Sequence, residues 1–275
     1  MQPLLGVKNL KIRYGAGGEA GCRLAVADVS FNVGAGEVVG LMGESGCGKT
    51  SIALALLGLL SKGRAEVRGS IHWRGKDLVA LPASEMRKIR GSEISMVFQE
   101  PEQALSPVLR IVDQVAEVLH AHTKSHWKEC RAKAQYVLEQ VGLPATSRIF
   151  TAYPHQLSGG QRQRVVLAQA LACKPSMIVA DEPTASLDTR SQNELLVLLQ
   201  KLKRETGVAI LLISHSAEVQ AHLADRLIVM EHGEIVEQGS FEQMFRHPAH
   251  PLTRTMLRSA AAAPASDHLD FQMVT

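Results

Sequence analysis

No stretch of this 275-residue chain is apolar for long enough to cross a bilayer. The longest run, "IALALLGLL" at 52–60, is about half the ~20 residues that a spanning helix needs. Any role at a membrane must therefore come through a partner. The N-terminus "MQPLLGVKNLKIRYG" lacks a charged segment followed by a long apolar one, so no secretory leader is expected. The four cysteines (Cys22, Cys47, Cys130, Cys173) include no C-x-x-C pair. That argues against a zinc ribbon or a disulfide framework and for a reduced, cytosolic chain. A formal charge of +3 is too small to imply nucleic acid by itself. There is no internal repeat and no heptad run. What is present is an ordinary globular balance, 45% hydrophobic and 21% charged, in a chain long enough for one large domain or a core with a subdomain.

Strand-like segments recur along the chain. "LLGVKNLKIRY" and "LAVADVSFNVGAGEVVGLMG" cluster β-branched residues between glycine turns, and "SIHWRG" and "EISMVFQ" follow the same rule. From about Pro101 to His155 the texture becomes helical: "VLRIVDQVAEVLHAH" and "WKECRAKAQYVLEQVGL" repeat apolar residues three and four apart. Strands return in "SMIVAD", "GVAILLISH" and "RLIVMEHGEIVEQG", with an amphipathic helix "TRSQNELLVLLQKLKRET" among them. Continuous apolar strands alternating with helices predict a parallel sheet covered on both faces. The end of the Ala-rich tail "SAAAAPASDHLDFQMVT" is expected to be poorly ordered.

Gly43, Glu44, Ser45, Gly46, Cys47, Gly48, Lys49 and Thr50 complete the pattern G-x-x-x-x-G-K-[ST] between a strand and a helix. Glycines there let backbone N–H groups wrap phosphates without a Cβ in the way. Lys49 would reach the β- and γ-phosphates, and the Thr50 hydroxyl would ligate Mg²⁺. "SMIVADEP" places Asp181 at the end of a buried strand, where it can hold Mg²⁺, and Glu182 next to it can polarise an attacking water. A second glycine turn, "LSGGQ" at 157–161, opens a helix and suits a phosphate as well. One chain thus carries two phosphate-binding turns.

The order "GESGCGKT", "VFQEP", "LSGGQ", "IVADEPTASLD", "LLISHS" resembles the ATP-binding subunits of ABC transporters, over nearly the whole chain. The resemblance implies a P-loop NTPase (RecA-like) α/β core with an N-terminal β-subdomain and an inserted helical subdomain. It divides the chain into a cassette, 1–245, with the helical part at about 101–170, and a C-terminal extension, 246–275. It also implies ATP and Mg²⁺ as cofactors. Gln99 takes the place of the Q-loop glutamine, which contacts Mg²⁺ or the water. Ser158, Gly159, Gly160 and Gln161 form the signature turn, Asp188 the D-loop aspartate at the dimer seam, and His215 the switch histidine at the γ-phosphate. Tyr14 stands where an aromatic stacks on adenine. Glu182, His215, Lys49 and Gln99 are the implied catalytic set, and Thr50, Gln99 and Asp181 the implied metal set. In this family two subunits pack head to tail, so the second turn serves the partner's nucleotide, and a solitary chain should hydrolyse ATP poorly.

"FQEPEQALSPVLRIVDQVAEVL", "YPHQLSGGQRQRVVLAQAL" and "FRHPAHPLTRTML" are similar to the oligopeptide, dipeptide and nickel importer ATPases. Departures are Ser216 where the group has aspartate, "EPEQALSP" for "DPMTSLNP", and "TASLD" for "TTALD". Some relatives hold an iron–sulfur centre in the tail; no cysteine follows Cys173, so none is expected. His120, His122 and His126 read as a solvated helix end rather than a metal site. "KSHWKECRAKAQ" reads as a charged helix face rather than a nucleic-acid patch. The implied activity is ATP hydrolysis driving import of di- or oligopeptides, at the cytoplasmic face of the plasma membrane. The implied partners are a second ATPase subunit (the same chain or a similar one), two permease subunits and, indirectly, an extracytoplasmic solute-binding protein. Import of nickel or a metal chelate is the alternative. A soluble ABC ATPase of DNA repair or translation is a distant one, since those carry coiled coils or two cassettes.

Overall fold

The computed structural model describes residues 3–15, 22–61, 63–144 and 146–261. The N-terminal part is antiparallel: β1 (Leu5–Tyr14) pairs with β2 (Arg23–Val33) and with β4 (Ala65–Trp73), which turns into the short β5 (Lys76–Asp77). The alternating burial of β1 and β2 matches strands with one covered face. β4 begins at Ala65, ahead of the expected Ser70, because its first residues lie half-exposed on the β1 edge and lack an apolar run.

The rest of the sheet is built on β3 (Val38–Gly43), β6 (Ile94–Val97), β7 (Met177–Asp181), β8 (Ala209–Ile213) and β9 (Arg226–Glu231). Neighbours among these run parallel, and β10 (Glu234–Ser240) folds back on β9. Every residue of β3, β7 and β8 is buried, as expected of strands covered on both faces. The described strands form one sheet in the order β5-β4-β1-β2-β10-β9-β3-β8-β7-β6. Its two halves meet where Glu234 pairs with Asp28 and the Ala27 N–H donates to the Gly233 carbonyl at 2.8 Å.

Helix α1 (Lys49–Leu56) follows β3, and α2 (Ala83–Ile89) precedes β6. Between β6 and β7 lies the helical insert: α3 (Pro101–Ala104), α4 (Ile111–His122), α5 (Trp127–Gln140), α6 (Ser147–Thr151) and α7 (Gly159–Leu171). α8 (Thr189–Thr206) is capped by Asp188 and closed by Gly207 in the left-handed region. It presents Leu195, Leu199 and Leu202 to the core. α9 (Ala217–Leu223), α10 (Phe241–Arg246) and α11 (Pro251–Ala261) complete the elements of the described residues. One apolar core lies between the helical insert, α8 and one face of the sheet; a second joins β1, β2, α1 and the other face. A smaller third core puts Leu257 of α11 against Met42 of β3 and Ala217 of α9. The Ala-rich tail starts as the end of α11, and its remainder lies outside the described residues. Among the described residues no helix is long and apolar enough to cross a membrane.

Candidate active site

β3 ends at Gly43, the loop spans 44–48, and α1 starts at Lys49, whose first turn aims its free N–H groups into the loop. Gly48 has φ 109°, and a Cβ there would lie 2.4 Å from the Ala25 carbonyl oxygen, so both conformation and space demand glycine. Lys49 is buried, and its Nζ donates to the carbonyls of Gly43 at 2.8 Å and Glu44 at 2.9 Å. The ammonium is therefore held at the loop by neutral acceptors that a phosphate can replace. A cavity of about 190 Å³ opens here, walled by Gly46, Lys49, Thr50 and Ser51 on one side and Tyr14 and Arg23 on the other. Tyr14 donates its hydroxyl to Ser51 Oγ at 3.1 Å, so the aromatic predicted from sequence does stand at the mouth. Arg23 was not anticipated. It reaches the loop because the β1–β2 register puts it opposite Tyr14, and its Nη2 donates to the Gly46 carbonyl at 3.3 Å.

The carboxylates arrive from β7, two strands from β3 across β8. Asp181 is buried, with the Thr50 side chain close enough to favour its charged form. Burial pushes its pKa up, and the Glu182 charge adds to this; the Thr50 hydroxyl and Lys49 work against it. Glu182 has φ 46°, a conformation that costs a non-glycine residue about 1–3 kcal/mol and recurs at functional sites. Its backbone N–H donates to the Ile213 carbonyl at 2.9 Å, which locks the turn to the end of β8. Its Oε1 accepts from the His215 backbone N–H at 2.9 Å and faces His215 Nδ1 at 2.8 Å; its Oε2 accepts from Ser214 Oγ at 3.2 Å. Carboxylate and histidine are thus one unit, a contact that the separate motifs did not reveal. Ser214 in turn accepts from the Ser216 N–H at 3.1 Å, and Ser216 caps α9 by accepting from the Val219 N–H at 3.3 Å. Serine at 216 therefore performs the capping that an aspartate could perform. Beneath them Gln220, fully buried, donates Nε2 to the carbonyls of Leu212 and Ser214, and its Oε1 fills the space where Gly40 lacks a Cβ.

The signature turn lies elsewhere. Ser158 caps α7 by accepting from the Gln161 N–H at 3.2 Å, and Gln161 Oε1 accepts from the Ser158 N–H at 3.0 Å. Ser158 is exposed, and none of 158–161 lines the cavity at the phosphate loop. Asp188 caps the neighbouring α8, and hydrogen bonds from the Ser191 N–H and hydroxyl hold its carboxyl below the usual range. A Cβ on Gly160 would lie 3.0 Å from Ser191 Oγ, so the starts of α7 and α8 form one surface. Gln99 is exposed two residues beyond Val97 of β6, which pairs with Ala180, the residue before Asp181. The segment after it is tied to the signature helix by an Arg162–Glu102 ion pair at 3.1 Å, also unforeseen. His120 sits edge-on to Trp127 with Nδ1 3.3 Å from the Ser125 carbonyl, His122 packs on Gly91, and His126 directly precedes α5 without a side-chain capping bond. Among the described residues no three His, Cys, Asp or Glu side chains are grouped to hold a metal.

Residues 26–185 match the family model described as ABC transporter. The chain belongs to this family. It is 42% identical, over its whole length and 83% of the relative's, to the oligopeptide transport ATP-binding protein OppD of Haemophilus influenzae. It is 42% identical over 94% of its length and 77% of the relative's to the dipeptide transport ATP-binding protein DppD of Bacillus subtilis. The ATP-binding cassette MJ0796, solved as a dimer in a post-hydrolysis state bound to ADP and Pi, superposes with a TM-score of 0.75 at 32% identity, covering 86% of this chain and 98% of that one. The chain is an ATP-binding cassette, and its chemistry is ATP hydrolysis.

The donor set of the cassette suits the metal that such chemistry uses. Mg²⁺ prefers hard oxygen ligands, few of them from protein, and Thr50 and Asp181 offer a hydroxyl and a carboxylate near enough to affect each other. A buried carboxylate whose pKa is raised by desolvation is also a group that a cation would relieve.

Proposed function

We propose that this cassette powers a peptide importer as a peripheral subunit at the cytoplasmic face of the plasma membrane. The observation that carries this reading is the division of the site. Lys49, Thr50, Asp181, Glu182 and His215 gather at the C-terminal ends of β3, β7 and β8, while the signature turn lies at the start of α7 with Ser158 exposed and outside the cavity at the phosphate loop. A second ATPase subunit, the same chain or a similar one, would bring its own 158–161 and Asp188 to this chain's nucleotide.

In that reading the loop 43–48 and Lys49 hold the β- and γ-phosphates, and Tyr14 stacks on the adenine. Thr50, Asp181 and Gln99 would hold Mg²⁺, which would supply charge neutralisation at the phosphates. Glu182 accepts a proton from the attacking water, and His215, fixed against it, keeps its carboxylate oriented and contacts the γ-phosphate. Phe98, Val108 and Leu109 expose apolar surface around Gln99 and the start of the insert. Such surface fits a contact with two permease subunits, to which the insert would pass the closing motion. An extracytoplasmic solute-binding protein would select the peptide. Residues 246–275 form an extension beyond the cassette proper. Uptake of labelled di- and oligopeptides by cells with and without the chain tests the reading. Peptide uptake unchanged by deletion, or tagged protein that never sediments with membranes, would overturn it.

A further inference from the structure

A second cavity, of about 790 Å³, lies at the opposite end of the parallel sheet from the phosphate loop. Ser92, Pro175 and Val208 line it just before β6, β7 and β8 begin, whereas Asp181 and His215 lie where β7 and β8 end. Its volume falls in the ~300–1,000 Å³ range of small-molecule sites. The floor is apolar and buried: Leu119 of α4, Ala172 after α7, Leu202 of α8 and Val208. Two lysines line it as well, Lys133 from α5 and Lys174 from the turn after α7. Among the described residues neither pairs with a carboxylate; Lys133 only donates to Ser125 Oγ at 3.2 Å. The one acid in the lining, Glu205, already has Lys201 at 3.8 Å.

We propose that this cleft binds a small amphipathic organic anion, an aromatic or medium-chain carboxylate or sulfonate. Its apolar body would replace water on the floor, and its acid group would meet the ammonium groups of Lys133 and Lys174, which have no carboxylate partner among the described residues. A compact inorganic anion fits less well, since the floor offers nothing to offset its desolvation. Because α4 and α5 belong to the insert while α8 and the strand starts belong to the core, a ligand here bridges the two. Binding would resist movement of the insert relative to the core, the motion on which coupling to membrane partners depends. Cys173 lines the same cleft, and burial, with Cys130 nearby, raises its thiol pKa. Its alkylation, slow but possible at alkaline pH, reports on whether the cleft is filled.

The test uses the full chain with 1-anilinonaphthalene-8-sulfonate as fluorescent probe, decanoate as competitor and decanol as its uncharged counterpart. One saturable site is expected, with decanoate displacing the probe at least tenfold more effectively than decanol. Lys133→Glu/Lys174→Glu should weaken probe binding at least tenfold while a fluorescent ATP analogue binds as before, which shows that the variant is folded. Saturating decanoate should slow Cys173 alkylation severalfold and slow hydrogen exchange in 119–140. Absence of a saturable site, equal displacement by decanol, undiminished affinity in the double variant or an unprotected Cys173 would each overturn the proposal. So would self-association that the probe and decanoate leave intact and that Tyr136→Asp, at the exposed rim, abolishes.

Discussion

Glu182 is held on three sides, by the Ile213 carbonyl at its backbone, Ser214 at one carboxylate oxygen and His215 at the other. Its geometry is therefore set before any substrate arrives, which is what a group accepting a proton from water requires. Glu182→Gln keeps the shape and removes the basicity. Turnover should fall by about 10²–10⁴-fold, the usual worth of a general base, with ATP affinity within about twofold of wild type. Full activity in this variant, measured by phosphate release, would remove Glu182 from the role. Ser214→Ala leaves the carboxylate basic but unties one oxygen. A hydrogen bond worth about 1 kcal/mol corresponds to roughly fivefold, so kcat should drop severalfold with KM unchanged. Ser214→Thr, which keeps the hydroxyl, should restore it; a loss equal in both variants would point to packing instead. Gly48→Ala belongs at this scale too, because its Cβ meets the Ala25 carbonyl, and nucleotide binding itself should be lost.

At the scale of elements, α7 carries the sharpest consequence of the divided site. Ser158→Arg costs α7 its cap, about 1 kcal/mol, and places a large cation on the exposed turn. The single chain should bind a fluorescent ATP analogue normally, since 158–161 do not line its own cavity, while ATP-dependent dimers should vanish in sedimentation. Loss of ATP affinity in the isolated variant would count against a role in the partner's site. The same element shows what can be read without coordinates. "LSGGQ" announces a capped helix start, and "GESGCGKT" or "SMIVAD" announces strand–loop–helix or buried strand, because the grammar is contiguous. Arg23 at the phosphate loop, Ser214 on Glu182 and Glu102 on Arg162 were invisible, because each depends on which strand or helix lies beside which. The short helices α2, α9 and α10 escaped for a simpler reason: six or seven residues give periodicity too little length to register.

For the whole molecule, the C-terminal helix is the piece whose attachment is most open to test. Glu237 on β10 accepts from the Ala249 and His250 N–H groups, each at 2.9 Å, and α11 beyond them sets Leu257 against Met42 and Ala217. Met42 directly precedes the phosphate loop and Ala217 follows the His215–Ser216 turn, so this helix braces the back of the site. Burial alone would raise the Glu237 pKa, but the nearby Thr253 side chain, the hydrogen bonds from the Ala249 and His250 N–H groups and the His250 charge outweigh it and leave the carboxyl below its ordinary 4.5. A carboxylate depressed by folding stabilises the folded form above its unfolded pKa, and the contribution disappears as pH falls through the depressed value. The attachment of α11 should therefore be intact at neutral pH and weaken only below about pH 4.5, with the loss continuing as acidity increases. Glu237→Gln, which accepts at one oxygen only, should show faster amide exchange across 249–257 at pH 7 and little further change on acidification. Exchange in α11 that is the same in both proteins at every pH would mean that the apolar contact of Leu257 alone holds the helix.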